Sequence, residues 1–129
     1  MWPPSVEEVA EAFRAAGAEA RLEELPEGER EFPGPAVRAD AFDCDGRLVV
    51  ALVPAERTTD PRRLGCVNAR PVPAPRFPYA GAAVYLDRSL LGEQTVWIEA
   101  GSPRHVAGLS PPQLVRIACA QTGQFVRED

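Results

Sequence analysis

A two-residue turn between two strand-like segments constrains the fold of this chain more than any other feature. Residues 36–44 alternate apolar and polar side chains, which is typical of a strand with one buried face. Asp45-Gly46 follows, and this dipeptide favours the tight turn of a β-hairpin. The next strand is apolar for six consecutive residues, Leu48 to Val53, so we expect it in the middle of a sheet. The hairpin 36–54 is therefore the best-supported long-range pairing.

The segment before the hairpin predicts a helix, an edge strand and a turn-rich stretch. Ser5 and Glu8 have the spacing of a capping box, and Gly17 is a natural stop. The apolar side chains of this helix recur on one face: Val6, Val9, Ala10 and Phe13. Residues 20–25 alternate weakly, as in an edge strand, and residues 26–35 are rich in turn formers.

Short elements follow the hairpin. Asp60 and Pro61 suit the N-cap and the first position of a short helix that stops by Gly65. Residues 70–78 carry four prolines and predict an extended connector. Ser110-Pro111 opens a last helix, and residues 124–127 are expected to add a terminal strand. Three more strands are predicted, at residues 83–86, 94–100 and 105–109.

These elements predict one α/β (α+β) domain over residues 1–129, with a mixed, mostly antiparallel sheet and a few short helices. A chain of 129 residues can bury about two-thirds of its unfolded surface. It has no apolar run near the roughly 18 residues that cross a bilayer, and its start lacks the pattern of a signal peptide. We therefore expect a cytoplasmic protein without membrane contact.

The cysteines and the basic residues exclude some chemistry. Cys44, Cys66 and Cys119 are irregularly spaced without a CxxC pair, so no zinc site is predicted and buried or inert thiols are expected. All 14 basic residues are arginine, so no lysine is available as a titratable amine. Residues 7–31 are acidic and residues 57–76 are basic, which describes either an RNA-steering surface or an ordinary solvated one.

Three segments carry a resemblance to a known family, and the first of them, the first helix with the following strand, matches loosely. Residues 82–120 contain YLDRSLL, the glycine of EAGS, and LSPPQLVRI, while the hairpin ends in GRLVVALVPAER followed by DPRRLG. In order and wording they resemble the YbaK/ProX-type aminoacyl-tRNA deacylase domains, which are small α/β modules that remove a wrong amino acid from tRNA. The resemblance implies an aminoacyl ligand, the acceptor end of tRNA as partner, and no cofactor.

The resemblance also implies site residues. Members carry a lysine in a strand pattern like I-V-K-S-L-V-F, and alignment on Phe42 places Arg38 at that position. Arginine keeps the positive charge but presents a planar fork. Members also have a Gly-rich loop resembling GGVSPFG, whose backbone N–H groups polarise the ester. Here a shortened version ends in Pro78-Tyr79-Ala80-Gly81, so Tyr79 and Gly81 are candidate substrate-binding residues.

The sole histidine is a second candidate. His105 follows Gly101-Ser102-Pro103-Arg104 and is expected near the pocket mouth, where it either orients a water or makes a plain polar contact. Gly101 and Ser102 are then further substrate-binding candidates. No GxSxG motif supports a Ser-His-Asp triad. Asp40, Asp43 and Asp45 lack the pattern of a calcium loop, so no metal site is predicted.

Three functions remain open from the sequence. The leading one is hydrolysis of the ester of mischarged tRNA. The alternative is an inactive relative that binds a small molecule, an aminoacyl group or a protein partner in the same pocket, which the shortened loop favours. A structural or dimerising module that uses an exposed sheet edge is the third.

Overall fold

The chain folds as two β-sheets with two α-helices packed against them. The computed structural model describes residues 2–127. The α-helices are α1 (Pro4–Ala15) and α2 (Pro111–Ala118), and short 3₁₀ helices span Pro61–Leu64 and Arg88–Gly92. The strands are β1 (Arg21–Glu24), β2 (Val37–Cys44), β3 (Arg47–Pro54), β4 (Ala69–Val72), β5 (Ala83–Asp87), β6 (Val96–Ser102), β7 (His105–Leu109) and β8 (Gln121–Gly123).

The strands form one sheet in the order β1-β7-β6 and another in the order β4-β2-β3-β5-β8. Pairs β1–β7, β6–β7, β2–β3 and β2–β4 are antiparallel, whereas β3–β5 and β5–β8 are parallel. The predicted fold class, α+β with mixed and mostly antiparallel pairing, is confirmed. No helix among residues 2–127 is long and apolar enough to span a membrane.

The predicted hairpin is confirmed, with β3 at the centre of its sheet. Asp45 and Gly46 both have positive φ, 53° and 91°, as a tight hairpin turn between twisted strands requires. Strand β3 is covered on both faces, which explains its unbroken apolar run. Val50 and Leu52 belong to a main core with α1, α2 and β6, while Val49 lies in a second cluster on the opposite face.

Among residues 2–127, one isolated backbone bridge joins the two sheets. Ala36, just before β2, pairs in parallel with Trp97 of β6, and the Trp97 N–H donates to the Pro35 carbonyl at 2.9 Å. Both strands continue beyond this bridge in the same direction. Their next residues line the cavity described below, so the bridge positions one wall against the other.

Three local predictions were wrong in detail. Helix α1 starts at Pro4 with Pro3 at the N-cap, and Ser5 lies inside it without a capping hydrogen bond, because proline suits the first turn. Part of the proline-rich connector pairs with β2 as strand β4. The terminal strand occupies residues 121–123, because Phe125 and Val126 pack into the second cluster.

The expectation of unpaired thiols was wrong for two cysteines. Cys44 and Cys66 form a disulfide, with their Cα atoms 5.2 Å apart. The hairpin and β4 bring them together, since Cys44 ends β2 and lies opposite Ala69 in the register. Cys119 is free but exposed at the C-terminus of α2. Neither arrangement is visible in the spacing of the cysteines, because both depend on tertiary contacts.

Strand β4 is an outer edge of the five-stranded sheet. It contains Pro71, opposite Phe42 of β2, and Pro73 follows directly. Arg70 on the same strand is exposed and pairs with Asp43 at 3.0 Å. This edge thus combines prolines with a charged side chain.

Candidate active-site cavity

A cavity of about 790 Å³ opens where β2, β6 and the end of the connector meet. Its floor is apolar and its rim is charged. The lining residues are Arg30, Glu31, Phe32, Gly34 to Ala39, Ala55, Glu56, Ala74 to Phe77, Tyr79, Glu99 and Gly101. A volume of this size lies within the range of about 300–1,000 Å³ that small-molecule sites occupy.

Gly101 allows strand β6, which lines the cavity, to approach helix α1 closely. Its φ is +90°, and a Cβ atom placed there would lie 2.5 Å from the Ser5 carbonyl oxygen of α1. A side chain would therefore clash with helix backbone, which cannot move like a flexible side chain. Gly101 lines the cavity. Its substrate-binding role stays a prediction.

Arg38 lines the cavity, and a hydrogen-bond network holds its side chain in place. Its guanidinium pairs with Asp40, with Nε 2.9 Å from Oδ1 and Nη2 3.0 Å from Oδ2. It also donates to the carbonyls of Ala55, at 3.0 Å, and Arg57, at 2.5 Å. Thr59 donates its hydroxyl to Asp40 at 2.7 Å. Arg38 thus holds the 55–57 loop against β2, and one N–H on Nη1 has no partner in this network.

The aromatic end of the connector forms the apolar floor. Phe77 stacks on Phe13 of α1 with ring centroids 5.0 Å apart, and Tyr79 meets Phe77 edge-on at 5.6 Å. Both connector residues are buried in the main core. Tyr79 has a positive φ of 66°, and its N–H donates to the Arg76 carbonyl at 2.8 Å. Core packing explains the placement of both rings.

Glu99 is a cavity residue that the sequence analysis did not single out. It lies in β6 between the buried Ile98 and Ala100, and its own side chain is exposed. Among residues 2–127 its side chain makes no hydrogen bond or ion pair. Its charge adds to the burial that raises the pKa of the Tyr79 phenol above the ordinary value. A lone acidic residue in the apolar segment VWIEAG was the only available signal.

The remaining predicted site residues lie outside the cavity lining. Ser102 Oγ lies 2.6 Å from His105 Nδ1, and His105 Nε2 lies 3.9 Å from a Glu24 carboxylate oxygen. Gly81 has φ +86° with open space around its Cα. The cavity therefore brings together Arg38, Tyr79 and Gly101 but not Gly81, Ser102 or His105. The roles proposed for those three stay predictions.

The sequence analysis considered a Ser-His-Asp triad and a metal site, and the structure bears on both. Asp87 is buried and accepts from the Ser89 hydroxyl and from the Phe125 N–H, the latter at 2.8 Å, so it serves the fold rather than a histidine. Within residues 2–127, no three His, Cys, Asp or Glu side chains are placed to hold a metal ion.

The basic segment 57–76 is largely paired with carboxylates. Arg62 and Arg63 lie near Asp60, and Arg70 pairs with Asp43. Arg76 reaches Glu8 of the acidic segment at 3.4 Å. The Arg70–Asp43 and Arg76–Glu8 pairs are exposed, and pairs of this kind contribute about 0–1 kcal/mol each.

Known proteins resemble this chain in structure rather than in sequence. No family model and no curated protein matches the sequence. A crystal structure of a protein proposed to be a trans-editing enzyme for prolyl-tRNA synthetase superposes with a TM-score of 0.83 at 22% identity, covering 99% of this chain and 100% of that chain. A chain from work on epitope backbone grafting onto scaffold proteins gives 0.82 at 21% identity, with the same coverage.

A third similar structure, the hypothetical protein APE2540, gives a TM-score of 0.79 at 17% identity, over 93% of this chain and 99% of that chain. Structural agreement at identities this low establishes the fold and leaves the activity open. The full-length agreement with the editing-enzyme-like structure bears out the resemblance found in the sequence. The chain has a YbaK/ProX-like fold.

Proposed function

We propose that this protein is an editing-type aminoacyl-tRNA deacylase, which hydrolyses the ester between a wrongly attached amino acid and the 3′ end of tRNA. The observation that carries the proposal is the likeness to the trans-editing-enzyme structure, which spans 99% of this chain and 100% of that chain. The partners that follow are the acceptor end of tRNA and its aminoacyl group.

The cavity supports this function by its size and its lining. A volume of about 790 Å³ accommodates an aminoacyl group together with part of the terminal nucleoside. Phe77 and Tyr79 supply a rigid apolar wall, against which a small side chain can be measured. The polar rim is suited to the ester and the ribose.

The chemistry requires no covalent intermediate. Water attacks the ester carbonyl, the carbonyl oxygen gains negative charge, and free amino acid and tRNA leave. In this proposal the unused N–H of Arg38 stabilises that oxygen or a terminal phosphate, because a charged donor forms the stronger hydrogen bond. The oxyanion role of Gly81 and the water-orienting role of His105 rest on the sequence resemblance alone.

A cytoplasmic site of action belongs to the same proposal, since translation supplies the substrate there. The Cys44–Cys66 disulfide is uncommon for a cytosolic protein. Trapping free thiols in intact cells, followed by mass spectrometry, tests whether the pair is oxidised where the protein works.

The decisive experiment incubates the protein with a panel of mischarged tRNAs and measures released amino acid. We expect turnover with at least one member, and Arg38→Ala to abolish it. Arg38→Lys restores the charge and tests whether the planar fork is needed. Arg14→Ala is the matched control, because Arg14 is an exposed arginine paired with Glu11 on α1 and does not line the cavity. Absence of turnover with every tRNA would overturn the proposal.

A further inference from the structure

The unpaired charges around the cavity are predominantly negative. Arg38 is paired with Asp40 and Arg76 with Glu8. Among residues 2–127, four charged lining side chains have no ion pair and no side-chain hydrogen bond. They are one arginine, Arg30, and three carboxylates, Glu31, Glu56 and Glu99. A cavity with this balance attracts a positively charged ligand group.

Glu99 is the carboxylate that the fold holds in place. Its neighbours Ile98 and Ala100 are both buried, which fixes the backbone of β6 on either side of it. Glu31 lies in the irregular segment before β2, and Glu56 in the turn after β3. A carboxylate on a buried strand presents its charge at a defined position, as recognition of one small group requires.

Tyr79 places a hydroxyl in the same wall. Its side chain is about 95% buried and lines the cavity, yet the hydroxyl makes no hydrogen bond within residues 2–127. A phenol oxygen left without a partner at a cavity wall is available to a ligand. Burial, with the nearby charge of Glu99, raises the pKa of this phenol, so it remains an O–H at neutral pH.

We propose that Glu99 and Tyr79 form a subsite for the α-ammonium group of the aminoacyl ester. The ammonium donates to the Glu99 carboxylate and to the Tyr79 oxygen, and the charge-assisted bond to Glu99 dominates. This inference rests on the proposed function, since it assumes an aminoacyl ligand. It adds the feature of the substrate that the cavity recognises, a free and protonated amine.

The same subsite distinguishes substrate from product. An aminoacyl ester carries a positive charge and no carboxylate, whereas the released amino acid gains a negative one. The unpaired carboxylates of the rim repel that new charge, which favours release of the product. An ester whose amine is acylated loses its positive charge and is expected to bind weakly.

The test uses non-hydrolysable analogues, in which an aminoacyl group is joined by an amide to 3′-amino-3′-deoxyadenosine. One analogue has a free amine and the other an N-acetyl group, and calorimetry measures both affinities. We expect the wild type to prefer the free amine by about tenfold or more, as a hydrogen bond to a charged group implies. Glu99→Gln should bring the ratio close to one, and Tyr79→Phe should reduce it less.

Glu19→Gln is the matched control, because Glu19 is an exposed, unpaired glutamate that does not line the cavity, and it should keep the wild-type preference. Thermal unfolding of each variant shows that the fold is retained. Equal affinity of the wild type for both analogues, binding of neither, or an unchanged ratio in Glu99→Gln would overturn the subsite.

Turnover of mischarged tRNA separates the two proposals. Amine-selective binding without hydrolysis of any tRNA would contradict the enzymatic function and support the subsite. Hydrolysis that persists in Glu99→Gln with equal rates for free and N-acetylated aminoacyl-tRNA sinks the subsite and leaves the function standing.

Discussion

The surroundings of the two ends of strand β2 differ in how completely their polar groups are paired. At the turn end, Asp43 accepts from the Gly46 N–H at 2.9 Å and pairs with Arg70. Asp45 accepts from the N–H groups of Val67 and Asn68, at 3.0 and 2.8 Å. The Cys44–Cys66 disulfide lies beside them. The two aspartates and the two cysteines of this end therefore serve the fold.

At the cavity end, the first residues of β2 face a wall whose acidic group is unused. Glu99 and the Tyr79 hydroxyl have no partners within residues 2–127, although they occupy rigid positions. Polar groups that have no partner in the protein and are held on a fixed backbone are available to a ligand. In our proposal, the turn end of β2 contributes stability and the cavity end contributes recognition.

The largest expected effect tests the rigidity of the cavity end. Gly101→Ala should lower the free energy of unfolding, because a positive φ costs alanine about 1–2 kcal/mol and the clash with the Ser5 carbonyl about 1–3 kcal/mol more. Chemical denaturation measures the change.

Gly81→Ala is the control for the backbone cost. Gly81 has a similar φ of +86°, but an added Cβ would meet nothing within 4 Å. We expect it to show only the smaller loss. Equal destabilisation by the two substitutions would mean that helix α1 yields to the added methyl group, and the cavity wall would not be rigid.

The second effect tests the turn end. Replacing Cys44 and Cys66 together by alanine should lower the free energy of unfolding by about 2–4 kcal/mol, because the cross-link no longer restricts the unfolded chain. Affinity for the free-amine analogue should not change. Cys119→Ala controls for loss of a thiol without a cross-link. A folded double variant that loses cavity binding would show that the two ends are coupled.

A third effect concerns the pH dependence at the cavity end. The raised pKa of Tyr79 means that the folded state favours the neutral phenol. Its contribution to stability is complete below the unfolded value of about 10 and is lost as the pH rises above it. Difference absorbance of tyrosinate, wild type minus Tyr79→Phe, should show ionisation above that value. Glu99→Gln should lower the pKa of Tyr79. An unchanged titration would show that the charge of Glu99 does not act on the Tyr79 phenol.

The smallest effect concerns the pH dependence at the turn end. Hydrogen bonds from Val67 and Asn68 hold the pKa of Asp45 below 3.8, so its contribution is present above that pH and is lost in more acidic solution. Asp45→Asn keeps an acceptor oxygen and tolerates the positive φ, and should reduce stability slightly at neutral pH. The difference between variant and wild type should shrink below pH 3.8. A constant difference would exclude the charge as its cause.

Elements whose signals are local were predictable from the sequence. The Asp45-Gly46 turn, the central strand β3, and the Ser110 cap of α2 depend on a few adjacent residues. In α2, the Ser110 hydroxyl accepts from the Gln113 N–H at 3.4 Å, as a capping residue does. The family resemblance supplied the order of the elements, and the superposition agrees with it over nearly the whole chain.

The cavity was only partly predictable, because it depends on distant segments that pack together. Arg38 was found through alignment with a family lysine, yet its engagement by Asp40 and the 55–57 loop is a tertiary property. Glu99 belongs to no motif, and only the fold shows that it lines the cavity with its side chain unpaired among residues 2–127. The Cys44–Cys66 pair likewise needed the register of β4 on β2.

The proline-containing edge at β4 has a consequence for assembly. Backbone N–H groups on an exposed edge invite a strand from another molecule, and proline offers none. Pro71 and Pro73, beside the exposed Arg70, therefore make this edge a poor template for intermolecular sheet extension. The connector that begins at this edge runs on to Phe77 and Tyr79, which line the cavity.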